Sequence, residues 1–544
     1  MAEPAIITTF PIAAKKESDK NDKPLDTFKT RISDELVIAF SGPVGCGITN
    51  VIEQTKIGLE SRGYKVYVIK LSAFIEGAIN QGDINLGPNA DHSISGKAKR
   101  YIDLQDGGNE LRKKFGYDIL AEYAVKNIVG FRQEQTPADL KDTPKNSVPN
   151  KNAFLIDQIK HPQEVQLFRA VYRKLFHLVG VVSVESKRQK RLEHVEQIPA
   201  PLAVKIMDRD KKQEEENGQQ LDKALKMADF FIRSDRGTID SIKKQMDRFV
   251  SLLHGQNGIT PTKQEYGMYV AYAAGLRSAC LSRQVGAAIE DTTGEIISTG
   301  CNDVPKSGGG LYSFEDGTDD KRCVHKEEQI CFNDREKKLL KTMMRNSLED
   351  AKDEVTNEQL IKPENIDKLI EAVYKASRIY DLIEFSRAVH AEMDAIITLV
   401  RTGTPGIVGS ILYCTTFPCH SCARHIVAAG IKKTYYIEPY EKSLAKNLHS
   451  DAIEFETEED DASLKTNIDE SKILSRFVHF EGVAPSQYLN FFTMPKRKDS
   501  AGKVIVIAPN QAKKSVSEYL DDYRDFESKV VEHLKDILKN KTIN

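Results

Sequence analysis

The chain has 544 residues, more than a single hydrophobic core usually organises, so two or three domains are expected. Hydrophobic residues make up 40% and charged residues 29%, the balance of a soluble globular protein, and the net charge of −2 supplies no overall field that would attract nucleic acid. We find neither the features of a signal peptide nor an apolar stretch of about 18 residues, so we expect a cytoplasmic protein without a membrane anchor.

The first half of the chain alternates strand and helix patterns. Residues 1–30 are polar and rich in Lys and Asp, and we expect a flexible tail there. Over 31–255 the alternation predicts a parallel α/β sheet domain. Predicted strands are 36–40, 65–69, 153–156, 178–183 and 229–232; 164–176 is a predicted helix, and the polar stretches 137–151 and 211–220 are predicted loops.

A glycine-rich segment directly follows the first strand. Gly42, Gly47 and Thr49 fit the phosphate-binding pattern G-x-x-x-x-G-K-[ST], with Gly45 between them and Ile48 in place of the lysine. Backbone N–H groups and the start of the next helix still offer a cradle for a phosphate group, so these residues are candidate nucleotide ligands. The alternative is a glycine-rich turn that binds nothing.

Two further features favour a P-loop kinase-like domain. Asp157 ends a buried strand, where an acidic residue would hold the Mg²⁺ of a bound nucleotide, and Arg188, Lys190 and Arg191 resemble the basic lid of small-molecule kinases. Phosphoryl transfer depends on charge stabilisation, which the missing lysine weakens. We therefore expect a nucleotide-binding regulator rather than a kinase.

The second half begins after a break at 254–262, where Gly, Asn and Pro cluster. We expect a domain over 260–500 with an insertion at 303–380, and a helical arm at 510–544. Predicted elements are a helix at 263–278, strands at 286–290, 295–299, 411–414 and 434–437, and a helix from Cys419. Within the insertion, apolar residues at helical spacing predict an amphipathic helix over 366–373.

The cysteines are few, and all but one lie in this half, which suits a metal site in a reducing compartment better than disulfides. His390 and Glu392, then Pro418, Cys419 and Cys422, form the H-x-E…P-C-x-x-C pattern of zinc deaminases. Two cysteines three residues apart at a helix start project from one face, and the histidine completes a ligand set for one Zn²⁺. A C-x-x-C pair alone is often a structural zinc knuckle or two buried thiols, and H-x-E alone is common by chance on a helix. Here both patterns occur in order.

Glu392 stands two residues from the histidine and is not expected to bind the metal. It would take a proton from the zinc-activated water, protonate the ring nitrogen beside the amino-bearing carbon and then deliver a proton to the leaving ammonia. The predicted reaction is hydrolytic deamination of a cytosine ring at C4.

Residues 264–498 resemble the deoxycytidylate deaminase family within the cytidine deaminase superfamily. The likeness includes the segments 273–278 (AAGLRS), 283–287 (RQVGA), 298–305 (STGCNDVP), 389–396 (VHAEMDAI) and 415–422 (TTFPCHSC). It implies a cytidine deaminase-like α/β/α fold and contact of Asn302 with the nucleoside. The chain departs from the family's pattern at Cys301, Asp303 and Asp394, and we expect these changes to affect the pocket for the sugar and phosphate.

Some phage members of that family carry a second, structural zinc. Cys280, Cys323, His325 and Cys331 are of suitable types to form such a site in this chain, although their spacing is irregular. The alternative is that these cysteines are small buried apolar residues.

Over nearly its whole length the chain resembles bacterial anti-phage deoxycytidine nucleotide deaminases, in which a degenerate P-loop kinase-like domain precedes a deoxycytidylate deaminase domain. The resemblance implies deamination of dCTP and dCMP, which depletes the dCTP that a replicating phage needs. It also implies regulation by an inhibitory small RNA and by nucleotides, and assembly as a homo-oligomer.

Two other functions stay open. A deaminase that edits nucleic acid would need a basic, aromatic-lined channel for the strand, and this chain has no Trp. A regulatory protein that only senses nucleotide would need no proton shuttle, whereas Glu392 is present. The expected substrate is therefore a free deoxycytidine nucleotide, not a long nucleic acid.

Overall fold

The computed structural model describes residues 32–86, 96–135, 151–211, 218–236, 238–352, 360–377, 379, 382–440, 443–455, 474–493, 500, 503, 505 and 520–539. The expected tail at 1–30 lies outside them, as do nearly all of the predicted loop 137–151 and most of the loop 211–220. None of the described helices is long and apolar enough to cross a bilayer.

The strands in the described residues of the first half are β1 (Leu36–Ser41), β2 (Lys65–Lys70), β3 (Asn152–Asp157), β4 (Phe176–Val182) and β5 (Phe230–Arg233). Its helices are α1 (Ile48–Glu60), α2 (Leu71–Asn80), α3 (Gly96–Phe115), α4 (Ile119–Gln135), α5 (Pro162–Tyr172), α6 (Glu185–Lys190), α7 (Ala200–Lys211), α8 (Leu221–Leu225) and α9 (Ile239–Leu253). The five strands predicted from sequence are confirmed, with ends that shift by one or two residues.

These strands form a parallel sheet in the order β5-β4-β1-β3-β2. β1 is buried along its whole length. The side chains on one of its faces pack in the apolar cluster that includes α4 and α5, and those on the other face pack against α1 and α9. Burial on both faces explains why its sequence is a continuous apolar run. The carboxyl end of β1, where open α/β sheets commonly bind ligands, leads into the glycine-rich loop.

One helix prediction is wrong at its end. The helix expected at 164–176 is α5, which stops at Tyr172, and Phe176 begins β4 instead. Arg173 follows the helix with a positive φ of 47°, outside the helical region, and the chain turns back toward the sheet there. The rings of Phe168 and Phe176 stack with their centres 5.2 Å apart. Phe176 is therefore buried against the helix from the following strand, although its spacing in the sequence suits a longer helix.

The second half forms another sheet. Its strands are β6 (Gly286–Glu290), β7 (Ile296–Cys301), β8 (Ile411–Thr416), β9 (Lys433–Glu438), β10 (Ile453–Phe455) and β11 (Ser475–His479). Its helices are α10 (Lys263–Gly275), α11 (Phe332–Glu349), α12 (Pro363–Ala376), α13 (Ala391–Thr402), α14 (His420–Ala428) and α15 (Ala445–Leu448). The strands predicted from sequence and the amphipathic helix of the insertion, now α12, are confirmed; α11 was not predicted.

The second sheet has the order β10-β11-β9-β8-β6-β7, with β8 to β11 parallel and the β6–β7 hairpin antiparallel. α10 covers one face, and α13 and α14 cover the other, which gives three layers. α10 approaches β6 so closely that a Cβ on Gly286 would lie 1.8 Å from the carbonyl oxygen of Ala271. Only glycine permits this packing distance.

Near its C-terminus the chain returns to the first sheet. Two residues after β11, the short strand β12 (Gly482–Val483) pairs antiparallel with β5. α16 (Tyr488–Phe492) follows it, and α17 (Leu520–Lys539) lies on α4. There Arg132 forms ion pairs with Glu35 at 2.9 Å and with Glu527 of α17 at 2.6 Å. The helix α17 is thus packed against the first half.

Candidate active site

Two helix starts bring the predicted metal-binding residues together. β8 leads through Pro418 to α14, whose N-cap is Cys419 and whose first turn contains Cys422. The Sγ atom of Cys419 accepts a hydrogen bond from the backbone N–H of Cys422 at 3.4 Å, which fixes the cysteine pair. His390 is the N-cap of α13. Both helices therefore start at the same place beside the sheet.

The three side chains have the geometry of a metal site. The Nδ1 atom of His390 lies 3.3 Å from the Sγ atoms of both Cys419 and Cys422, and the three ligand atoms lie within 4.8 Å of one another. Zinc bonds of about 2.3 Å to sulfur and about 2.0–2.1 Å to nitrogen place two ligands of a tetrahedral site roughly 3.6 Å apart. The group therefore fits a zinc ion with little movement.

The proton affinities of this group also suit a metal. A hydrogen bond from Cys422 lowers the pKa of the Cys419 thiol, and the adjacent His390 lowers it further. The hydrogen bond with the same sulfur raises the pKa of His390 to about 8 and holds the pKa of Cys422 well above its usual value. The forms that bind zinc are thiolate and neutral imidazole, so binding of a cation would release any protons that the three side chains hold.

Glu392 lies in the first turn of α13, faces the same cavity and is 4% exposed. Burial raises the pKa of its carboxyl group, and the charge of Cys419 adds to that effect. A carboxyl group whose pKa is raised toward neutrality can both accept and release a proton during a reaction. The arrangement therefore supplies a proton carrier beside the candidate zinc site.

A cavity of about 340 Å³ opens beside this group. Its volume lies at the lower end of the range of roughly 300–1,000 Å³ that is common for ligand pockets. Asn302, Glu392 and Cys419 are among its buried lining residues, whereas Arg283 is exposed and Lys337 half-buried. The metal group and Glu392 thus lie at the buried end, and cations lie at the mouth.

Comparison with known proteins agrees with this site. The family model "Cytidine and deoxycytidylate deaminase zinc-binding region" matches residues 261–438. The deoxycytidylate deaminase of Enterobacteria phage T4 is 30% identical over 186 residues, which are 32% of this chain and 78% of the phage protein. The chain belongs to the deoxycytidylate deaminase family. The deoxycytidylate deaminase of Enterobacteria phage T2 is 29% identical over 186 residues, which cover 32% of this chain and 80% of that protein.

Among solved structures, dCMP deaminase from the cyanophage S-TIM5 in complex with dCMP and dUMP is 22% identical. The match covers 35% of this chain and 90% of that one, with a TM-score of 0.20. The zinc-binding character of the deaminase family, together with the His/Cys/Cys group, supports Zn²⁺ as the cofactor.

Asn302 lines the cavity, but its amide is bonded within the chain. Its Oδ1 accepts from the backbone N–H of Val285 at 2.7 Å, and its Nδ2 donates to the carbonyl oxygen of Arg283 at 2.8 Å. The residue therefore holds the 283–285 loop, which forms one wall of the cavity. The sequence pattern suggested a nucleoside contact and gave no sign of this positioning role.

The residues at which the chain departs from the deoxycytidylate deaminase pattern do not line the cavity. Asp394 accepts a hydrogen bond from the backbone N–H of Cys301 at 3.1 Å. The carboxylate of Asp303 accepts from the N–H groups of Ala279 and Val304, each at 2.8 Å. Asp303 and Asp394 therefore fix the backbone behind the cavity, and the expected effect of these departures on the sugar and phosphate pocket stays a prediction.

The four candidate ligands of a second zinc do not assemble. Cys280, Cys323 and Cys331 line a small neighbouring cavity, but the Nε2 atom of His325 lies 3.3 Å from a carboxylate oxygen of Asp320. Across the described ranges, the group at the starts of α13 and α14 is the one set of three or more such side chains close enough to share a metal. The structure gives no support to a second zinc here.

The glycine-rich loop of the first half connects β1 to α1. Gly45 and Gly47 have φ of 80° and 76°, which favours glycine at both positions. The backbone of Arg188 packs against Gly45, and the guanidinium of Arg191 packs against Gly47. Thr49 is exposed in the first turn of α1. The guanidinium of Arg188 donates to the carbonyl oxygen of Val44 at 3.4 Å, so two of the three predicted basic residues contact the loop.

A carboxylate of the chain contacts the backbone of this loop. Oδ2 of Asp210, on α7, accepts from the backbone N–H of Val44 at 2.6 Å, and its Oδ1 lies 2.6 Å from the Nζ atom of Lys160. Lys160 also donates to the carbonyl oxygen of Gly42 at 2.9 Å. Asp157 ends β3 nearby, and burial raises the pKa of its carboxyl group. The sequence gave no indication of this internal anion.

Proposed function

We propose that the chain is a zinc-dependent hydrolase that converts free deoxycytidine nucleotides, dCMP and dCTP, to dUMP and dUTP with release of ammonia. The main support is one arrangement: His390, Cys419 and Cys422 converge on a metal position, with Glu392 buried beside them at the inner end of the cavity. The names of the phage T4 and T2 relatives support a deoxycytidine nucleotide as the substrate.

When bound, zinc supplies a Lewis acid that lowers the pKa of water to near neutrality. Glu392 accepts the proton that this water loses and passes it to the ring nitrogen beside the amino-bearing carbon. The water oxygen adds to that carbon and gives its remaining hydrogen to Glu392 as a proton, and Glu392 delivers this second proton to the amino group, which leaves as ammonia. One water is consumed, and a carbonyl oxygen replaces the amino group.

The lining of the cavity suits the parts of a nucleotide. The segment predicted as an insertion contributes Lys337 and Tyr374 to the cavity lining, which also includes Arg283 and Tyr440. The guanidinium of Arg283 lies 5.5 Å from the centre of the Tyr440 ring, so cationic and aromatic groups meet at this mouth. Phosphate groups and a pyrimidine ring are the parts of a nucleotide that such side chains bind.

We further propose that the first half regulates the enzyme by binding a nucleotide with Mg²⁺ at the glycine-rich loop. Lys160, Arg188 and Arg191 are cations beside that loop, and Asp157 offers a carboxylate for the metal. A phosphate group must displace the Asp210 carboxylate from the N–H of Val44 before it can bind there. Nucleotide binding is therefore coupled to a movement of α7.

The biological proposal comes from resemblance. A glycine-loop domain ahead of a deoxycytidylate deaminase domain is the order found in anti-phage nucleotide deaminases, and it supports depletion of dCTP during infection. The same resemblance supports a homo-oligomer and inhibition by a small RNA.

The experiment is a substrate panel. Zinc-loaded protein is incubated separately with dCMP, dCTP, CTP and a cytosine-containing single-stranded DNA, and products are separated by chromatography, with Glu392→Ala as control. Conversion of dCMP or dCTP that is lost in the variant supports the proposal and ranks the substrates. Conversion of DNA alone would replace it with nucleic-acid editing. If no substrate is converted even with added ATP and Mg²⁺, a sensing role replaces catalysis.

A further inference from the structure

The mouth of the active-site cavity is partly built by residues outside the zinc motif. α11 and α12 pack against each other in the segment predicted as an insertion. The start of α11 contributes Cys331, Asn333, Asp334 and Lys337 to the cavity wall, and α12 contributes Tyr374. This segment therefore determines part of the shape and charge of the cavity mouth, which contacts the rest of a substrate when its base lies at the buried end.

The charges at this mouth favour an anion. Arg283 and Lys337 are the Arg and Lys side chains of the cavity lining; its carboxyl groups are Asp334, exposed on α11, and Glu392 at the buried end. The first turn of α11 has no side-chain cap, so its N–H groups add positive potential on the same wall. The half-buried Lys337 lies one turn further along the helix.

A polar atom on this wall also lacks an internal partner. Nδ2 of Asn333 donates to the carbonyl oxygen of Leu382 at 3.2 Å, but its Oδ1 is buried and has no hydrogen-bond partner within the described part of the chain. A buried amide oxygen is costly unless it accepts a hydrogen bond. A bound ligand with hydroxyl or N–H donors would satisfy it.

We infer that Lys337 is a specificity-determining residue that binds the phosphate groups beyond the first one, so that the enzyme favours dCTP over dCMP. The inference rests on the proposed function. With the base beside Glu392 at the buried end, the phosphate chain leaves through the mouth, where Arg283 and Lys337 lie. A triphosphate carries more negative charge than a monophosphate and extends further, so a second cation increases its binding affinity more.

The test compares Lys337→Gln with Lys338→Gln, the next residue, which is exposed and does not line the cavity. The measured quantity is the ratio of kcat/KM for dCTP to kcat/KM for dCMP. One charge-assisted hydrogen bond corresponds to about 10- to 100-fold in affinity, so the ratio falls at least about tenfold in Lys337→Gln, mainly through KM for dCTP. Lys337→Arg restores most of it, and Lys338→Gln leaves it unchanged.

Equal losses for both nucleotides, or an unchanged ratio, would overturn the inference. A binding measurement separates this failure from failure of the proposed function. In the Glu392→Ala background, thermal stabilisation by dCTP should exceed that by dCMP, and adding Lys337→Gln should remove the difference. If dCTP still stabilises the double variant more than dCMP does, Lys337 does not distinguish the two phosphate chains. This conclusion holds whether or not the wild-type protein deaminates either nucleotide.

Discussion

Replacement of Asp210 by alanine removes the carboxylate that the N–H of Val44 and the ammonium of Lys160 share. Both Asp210 and Lys160 are buried, so the variant leaves an uncompensated charge inside the first half of the chain. Removing one partner of a buried ion pair typically costs about 3–5 kcal/mol in the free energy of unfolding. Asp210→Asn keeps an acceptor for the N–H but not the charge, and we expect a smaller loss of about 1.5–3 kcal/mol.

The same variant tests the proposed phosphate site at the glycine-rich loop. The N–H of Val44 and the cations Lys160, Arg188 and Arg191 are still present, so phosphate or ATP can take the place of the carboxylate. A ligand at ten times its dissociation constant adds about 1.4 kcal/mol to the free energy of unfolding. We expect this gain in Asp210→Ala and a much smaller one in the wild-type protein, where the carboxylate competes.

The assay is urea unfolding followed by circular dichroism, because the chain has no tryptophan to serve as a fluorescent probe. Each protein is measured with and without inorganic phosphate, and with ATP and Mg²⁺. Asp208→Ala removes an exposed carboxylate from the same helix and is the matched control. The reasoning fails if Asp210→Ala is as stable as Asp208→Ala, or if phosphate stabilises the wild-type protein as much as Asp210→Ala.

Three further predictions concern stability, the cavity wall and the metal. The ring of His479 lies 5.6 Å from that of Phe231 and 5.3 Å from that of Tyr436, and burial lowers its pKa to about 4. In the unfolded chain this imidazole binds a proton near pH 6.5, so the free energy of unfolding is highest above that pH and decreases as the pH falls toward 4. The decrease at pH 5 is at most about 2 kcal/mol. His479→Phe should abolish this decrease, which is measured as the difference in the free energy of unfolding between pH 7.5 and pH 5. Asn302→Ala releases the loop that it holds and should raise KM for dCMP about tenfold at unchanged zinc content, whereas an unchanged KM would contradict its positioning role. Chelation should abolish deamination and added zinc should restore it, but Cys422→Ser, checked by atomic absorption, should recover neither zinc nor activity.

The metal group could be predicted from sequence because its geometry is mostly local. Cys419 and Cys422 share the first turn of one helix, so their spacing alone fixes their relative position. His390 and Glu392 likewise share the start of another helix, and the strand between the two helices predicts that both meet at one edge of the sheet. The parallel strands were also predictable, because burial on both faces requires continuous apolar runs.

Contacts between distant segments could not be predicted in this way. Asp210 lies 166 residues from Val44, and nothing around it distinguishes it from an exposed helix carboxylate. β12 has two residues, too few to show a periodicity, although it joins the first sheet. The bonding of Asn302 depends on the path of the 283–285 loop, which the spacing of residues does not specify. In each case the information lies in the packing of the whole chain.

The central claim is that Glu392 carries protons for deamination of a deoxycytidine nucleotide beside a zinc ion. Its most direct test is the rate of ammonia release from dCMP and dCTP by the wild-type protein and by Glu392→Gln at equal measured zinc content. Loss of a general acid–base predicts a fall of about 10²- to 10⁴-fold in kcat with zinc retained. Equal rates in the two proteins, or no ammonia from the zinc-loaded wild type with either nucleotide, would contradict the account.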